Sequence, residues 1–158
     1  MYREVLIADI NRDIASIRRE VEAIRPKIER LTTDKDPVNY DSHKRAIGSC
    51  LASIYTGIEK IFERIIRTID GFMPETKQYH QALLDRAATV IPGKRSAIIS
   101  GQTYELLQEM KGFRHLYTHI YHYNLLPQRL KELAEKGPIV CESFFRDIEA
   151  FQAGLPDF

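Results

Sequence analysis

The sequence predicts an all-α fold, an up-and-down bundle of four to five helices, and three observations carry that prediction. Apolar residues recur in alternating steps of three and four over long stretches. Capping and helix-breaking residues stand at the ends of those stretches. No run with the alternating pattern of a half-buried strand appears. At 158 residues, the chain is long enough to bury a full core without disulfides or metals, and it reads as one helical domain over 1–158.

The first helix carries Ile10, Ile14, Ile17, Val21, Ile24, Ile28 and Leu31, with charged residues between them. This is an amphipathic stripe, read as packing within the bundle, with dimerisation through it as the alternative. Pro26 lies inside the pattern, removes one backbone donor and is expected to bend the helix. "TTDKDPVNYDS" at 32–42 is a polar turn rich in cap residues. A second long helix follows through Ile47, Leu51, Ile54, Tyr55, Ile58, Ile61, Phe62, Ile65, Ile66 and Ile69. Its apolar face is wide enough for the central helix of the bundle, and Gly71 and Pro74 end it. A shorter helix over 76–90 precedes "IPGKRS", a turn whose Lys94 and Arg95 read as solvated.

Ser100 can cap a fourth helix through Leu106, Leu107, Met110, Phe113 and Tyr117, with Ile120 beyond. Tyr117 continues the apolar series and reads as a packing residue. Pro127 suits the first turn of a fifth helix, and "EKGP" at 135–138 is expected to break or kink it before a last run with Val140, Phe144, Ile148 and Phe151. His43 and His80 have no partners in sequence and read as surface or cap residues.

A formal net charge of +1 argues against a protein that coats nucleic acid non-specifically, so any contact with RNA or DNA must be local. Cys50 and Cys141 are too few for a disulfide framework or zinc motif, and each falls in an apolar helical pattern, so both read as reduced, buried hydrophobes. "MYREVLIADINRDI" lacks the apolar core of a signal peptide, and no stretch reaches the length of a membrane span. A cytoplasmic location without membrane contact is expected.

The chemistry concentrates in "FRHLYTHIY", residues 113–121. With about 100° per residue, His115, His119 and His122 fall within about 60° of one another on a helix. Such a stripe could clasp a metal, but no HExxH motif or cluster of Cys or Asp supplies the remaining ligands. Arg114 and Tyr121 return to within about 20° of each other, whereas His119 stands about 140° from Arg114. On a straight helix Arg114 and His119 therefore do not share a face. Acting on one substrate would require the helix to end or distort near residues 118–121, or a second subunit to complete the site. Arginine and histidine without acidic partners suit metal-free RNA cleavage: histidine exchanges protons near neutral pH, and the guanidinium fork holds phosphate. The alternative is an ordinary polar helix surface.

Arg114, His119 and Tyr121 form an Arg-x4-His-x-Tyr pattern that resembles the motif of the HEPN superfamily, specifically the HepT-like ribonuclease toxins. "MKGFRHLYTHIYHY" resembles that family's motif helix, "YTGIEKIFERIIRTIDG" its long second helix, and "IPGKRSAIIS" the linker before the motif. The likeness extends over nearly all of the chain. It implies a helical bundle that forms a homodimer, with two motifs facing a shared cleft. It also implies a metal-independent endoribonuclease that needs no cofactor, in which Arg114 polarises the scissile phosphate and His119 is general acid or base. By the same resemblance the partner is a minimal nucleotidyltransferase antitoxin, which transfers AMP to Tyr121. Some HEPN proteins have lost the nuclease, and the alternative function is a non-catalytic helical module that dimerises and binds a nucleotidyltransferase partner or a nucleotide. Many relatives carry a small polar residue such as Asn after the arginine, where this chain has His115; His115 and His122 stay outside the expected site.

Overall fold

The computed structural model describes residues 2–158; Met1, included in the expected domain 1–158, lies outside them. The first helix, α1, spans Tyr2–Thr33. Its stripe of Leu6, Ile10, Ile17, Val21, Ile24, Ile28 and Leu31 is buried, because α1 packs against the second and the last helices of the same chain. The stripe is therefore used within the bundle. On the edge of this contact Arg64 donates to Asp13 at 2.9 Å and to Asp9 at 3.3 Å, which compensates the burial of the Asp13 carboxylate.

Helix α2 spans Pro37–Ile65. Asp36 accepts from the Val38 amide at 2.9 Å, and Pro37 occupies the first turn, where its missing donor costs nothing. The chain continues through a π-helical turn, Ile66–Asp70, and stops at Gly71 in the left-handed region with φ of 90°. Helix α3 is Tyr79–Ala87, shorter at both ends than the 76–90 expected. Helices α4, Gly101–Gly112, and α5, Arg114–Thr118, are two pieces of what the sequence reads as one helix. Helix α6 spans Pro127–Ala153. Helices α1, α3, α5 and α6 all pack on α2, the central element that its broad apolar face predicts. No strand occurs among the described residues, and the architecture is an all-α bundle.

Three expectations are corrected. "EKGP" does not interrupt the last helix: α6 runs unbroken through Pro138, as α1 does through Pro26. In both cases buried residues on either side of the proline face one core, and that packing outweighs a lost backbone hydrogen bond. Gly137 serves a close approach instead; a Cβ there would stand 2.7 Å from Leu51 Cδ2 on α2.

In the basic turn Lys94 is exposed, but Arg95 is not solvated. The Arg95 side chain is 0% exposed and grips Asp70 through two bonds, Nε to Oδ1 at 2.7 Å and Nη2 to Oδ2 at 2.9 Å. Its remaining donors go to the carbonyls of Thr89, Ser96 and Arg86, and Lys94 donates to the Asp70 carbonyl at 3.1 Å. The pair ties the loop before α4 to the end of α2. His43, the third correction, is buried near the start of α2 with Nε2 3.3 Å from Asp34.

Ser100 caps α4 as expected, accepting from the Thr103 amide at 3.2 Å. It also donates to Asp147 on α6 at 2.8 Å, while Thr103 meets Ser143 at 2.7 Å, so α6 sets where α4 begins. Cys50 and Cys141 are buried free thiols, pushed up by burial to about 11 and about 12. Both are protonated at neutral pH and behave as small hydrophobes. Among the described residues no helix is long and apolar enough to cross a membrane.

Candidate active site

The motif segment leaves the helical path twice. Phe113, with φ −97° and ψ 5°, separates α4 from α5, and His119, with φ −124° and ψ 26°, ends α5. A 3-10 turn, Ile120–His122, follows. The requirement that the helix end or distort near 118–121 is met within a single chain.

Two buried residues, Tyr117 and Ile120, hold this segment on α2. Burial pushes the Tyr117 phenol up to about 12, in keeping with a packing role. Opposite them α2 carries Gly48. A Cβ at that position would collide with the Ile120 side chain and stand 2.8 Å from the Tyr117 carbonyl oxygen. A β-branched side chain and a backbone oxygen give way only if the segment moves. Gly48→Ala is therefore expected to cost about 1–3 kcal/mol of stability. It should also displace His119, which lies between the two contacts. RNA cleavage should fall further than the unfolded fraction in urea titrations accounts for; unchanged activity would show that the close contact does not place the motif.

The motif residues diverge in their contacts. Arg114 is exposed, and its Nη1 donates to His80 Nε2 at 2.9 Å. His80 Nδ1 in turn lies 2.7 Å from Oε2 of Glu59, which is buried on α2. His80 thus has two partners on two helices, contrary to its reading as a lone surface or cap residue. The Arg114 guanidinium also stands 6.0 Å from the centre of the Tyr55 ring. Burial raises the Tyr55 phenol, the Glu59 carboxylate adds to the rise, and Arg114 opposes it.

His119 is exposed, with Nδ1 3.2 Å from the His115 carbonyl and 2.9 Å from Thr118 Oγ1. With the proton on Nδ1 both contacts are hydrogen bonds, the carbonyl and the hydroxyl oxygen each accepting, and in that tautomer Nε2 carries the basic lone pair. Tyr121 is 41% exposed. The Arg45 guanidinium lies 4.9 Å from the centre of its ring and also binds Asp41 at 2.9 Å. Lys44 reaches the carbonyls of Tyr121 and Tyr123 at 3.5 and 3.4 Å, and Tyr40 donates to the Leu125 carbonyl at 2.5 Å. These contacts tether the chain beyond the motif to the start of α2.

Four rings form one exposed column. Ring centres lie 4.5 Å apart for His115 and His119, 6.2 Å for His119 and His122, and 3.9 Å for His122 and Tyr121. His122 thereby bridges His119 to Tyr121. Arg114 stands apart from the column: its neighbours Tyr55 and Glu59 follow Arg45 on α2 by ten residues or more, roughly 15 Å of helical rise. Among the described residues no three His, Cys, Asp or Glu side chains are arranged to hold a metal ion.

Glu59, His80, Arg45 and Gly48 escaped the sequence reading. The first three meet the motif only through contacts between helices, which no spacing encodes. Gly48 did leave a trace, since glycine inside a helix costs about 1 kcal/mol against alanine and usually has a packing reason.

Together the segment offers an exposed guanidinium suited to phosphate, an imidazole with a free basic nitrogen, and an accessible phenol. A family model described as "HepT-like protein" matches residues 46–155, a span that begins in α2 and includes α3, α4, the whole motif segment and α6. No curated protein and no solved structure matches the chain.

Proposed function

Since the chain belongs to the HepT-like family of the HEPN superfamily, we propose that it is a metal-independent endoribonuclease, the toxin of a two-component module acting in the cytoplasm. The observation that carries this reading is the broken-helix segment, which exposes Arg114 and, at the break itself, His119 with Nε2 as its basic nitrogen. Arg114 would bind two oxygens of the scissile phosphate and stabilise the charge that builds on them. His119 Nε2 would take the proton from the ribose 2′-hydroxyl. The 2′-oxygen then attacks phosphorus, the bond to the 5′-oxygen breaks, and that oxygen leaves with a proton from a protonated histidine.

In one protomer Arg114 turns toward His80 and His119 toward His115, with no hydrogen bond between them. A homodimer whose two motif segments face each other would set one chain's His119 against its partner's bound phosphate, and two histidines could divide the roles of base and acid. A minimal nucleotidyltransferase antitoxin would inactivate the enzyme by AMP transfer: the Tyr121 hydroxyl attacks the α-phosphorus of ATP, loses its proton and releases pyrophosphate. The exposure of Tyr121 and the Arg45 cation beside its ring support this assignment. The adduct adds bulk and negative charge to the ring column that contains His119, obstructing the approach of RNA to the imidazole.

Purified protein should cleave single-stranded RNA in EDTA, and Arg114→Ala should lose that activity; equal RNA decay in the two proteins would refute the nuclease. Incubated with the nucleotidyltransferase and ATP, wild-type protein should gain AMP at Tyr121, and Tyr121→Phe should gain none. Mass spectrometry locating the adduct elsewhere would remove Tyr121 from the proposal.

A further inference from the structure

We propose that Glu59 and His80 are a positioning pair for Arg114, one that fixes its guanidinium through a single imidazole tautomer; what Arg114 does when so held rests on the nuclease reading above. Arg114 belongs to a five-residue helix at the surface, and a long side chain there would sample many rotamers. One bond restrains it, from Nη1 to His80 Nε2 at 2.9 Å. Arginine keeps all its protons, so Nε2 must offer a lone pair. The imidazole is then neutral with its proton on Nδ1, where it meets the Glu59 carboxylate at 2.7 Å. Each contact requires the protonation state that the other selects.

The burial of Glu59 supports the same assignment. A carboxylate withdrawn from water is costly unless it is paired; Glu59 is paired with His80 at 2.7 Å, and the Tyr55 hydroxyl is a further partner. The chain brings the pair together from α2 and α3, which pack directly, while Arg114 comes from α5, which also packs on α2. A guanidinium held through one nitrogen keeps its remaining N–H groups aimed in one direction, which is the preorganisation a phosphate-binding group needs.

The arrangement also depends on pH. Protonating His80 removes the lone pair that Arg114 uses and sets two cations against each other. The charged and titratable groups facing His80 are Glu59 and Tyr55 from α2 and Arg114 from α5. Its neighbour Tyr79 donates to Glu63 at 2.8 Å, and α4 presents the apolar Leu107 to the small cavity beneath the ring. The grip on Arg114 is therefore lost wherever the imidazole is protonated.

Two measurements on the full-length protein test the pair. The first is imidazole 15N NMR near pH 7.5, with the His80 resonances assigned by their loss in His80→Ala. A neutral ring protonated at Nδ1 is expected in the wild type, with that tautomer less populated in Glu59→Ala, which removes the acceptor. An Nε2-protonated ring or an imidazolium in the wild type would overturn the proposal, whether or not the protein cleaves RNA. The second is RNA cleavage across pH. His80→Ala should lower kcat by about 10- to 100-fold, the scale of a lost hydrogen bond to a charged group. His80→Gln, which keeps an acceptor but cannot be protonated, should recover most of that loss and flatten the acid side of the profile. RNA binding, which is read without cleavage, should be no weaker in Arg114→Ala/His80→Ala than in Arg114→Ala; an additive loss would assign His80 a merely structural role and sink the pair. Absence of cleavage by the wild type, with the Nδ1-protonated tautomer intact, would refute the nuclease and leave the pairing standing.

Discussion

His119→Ala is expected to abolish RNA cleavage, by a factor of about 100 to 10,000, while leaving the fold intact. The size of the loss follows from the role: removing the general base leaves only what phosphate binding and orientation contribute. Stability should hardly change, because His119 is exposed and its polar contacts are to Thr118 Oγ1 and the His115 carbonyl, both of which water can satisfy. The experiment compares cleavage of one RNA by both proteins in EDTA, alongside their thermal melts. Matching melts with lost cleavage would identify a chemical role for the imidazole. Matching melts with equal cleavage would show that the motif is an ordinary polar surface.

Arg95→Ala should have the largest effect on stability, a destabilisation of about 3–5 kcal/mol. The guanidinium and the Asp70 carboxylate are both buried, and their bonds are mutual. Truncation leaves the buried Asp70 carboxylate with only the longer ion pair to Arg86 at 3.9 Å and takes a donor from the carbonyls of Thr89, Ser96 and Arg86. Against a typical total of about 5–15 kcal/mol, that loss is severe. Arg95→Lys should recover only part of it, because an ammonium cannot reproduce the two-pronged bond. Urea unfolding of the three proteins gives the values directly. A change below about 1 kcal/mol in Arg95→Ala would mean that the turn is solvated, as its sequence suggests, and the pair would lose its structural role.

Arg95 and His80 show where local sequence misleads. A glycine turn followed by two basic residues reads as solvent-exposed because most such turns are. The Arg95 side chain is buried because Asp70, twenty-five residues earlier, ends a helix beneath it. His80 reads as isolated because Glu59 precedes it by twenty-one residues, on another helix. In both cases the partner is chosen by how helices stack, and no periodicity within one helix records that choice. Pro138 misleads in the opposite sense. Its local signal to stop is genuine, and the burial of Leu130, Leu133 and Ala134 before it and Val140, Cys141 and Phe144 after it overrides that signal.

What the sequence determined by itself is everything that depends on neighbours along the chain. The stripes of α1 and α2, the Ser100 cap, the stop at Gly71, the packing role of Tyr117 and the Arg-x4-His-x-Tyr spacing were all legible, because helical periodicity and capping are local properties. Angular spacing also showed that a straight helix could not place Arg114 and His119 on one face. Tertiary structure alone decided how that conflict is resolved. Close packing of Tyr117 and Ile120 on Gly48 accompanies a segment broken at Phe113 and again at His119. The same packing turns Arg114 toward the Glu59–His80 pair and stacks His119 in a column that ends at Tyr121. These contacts join residues from different helices, and their energies exist only once the bundle has formed.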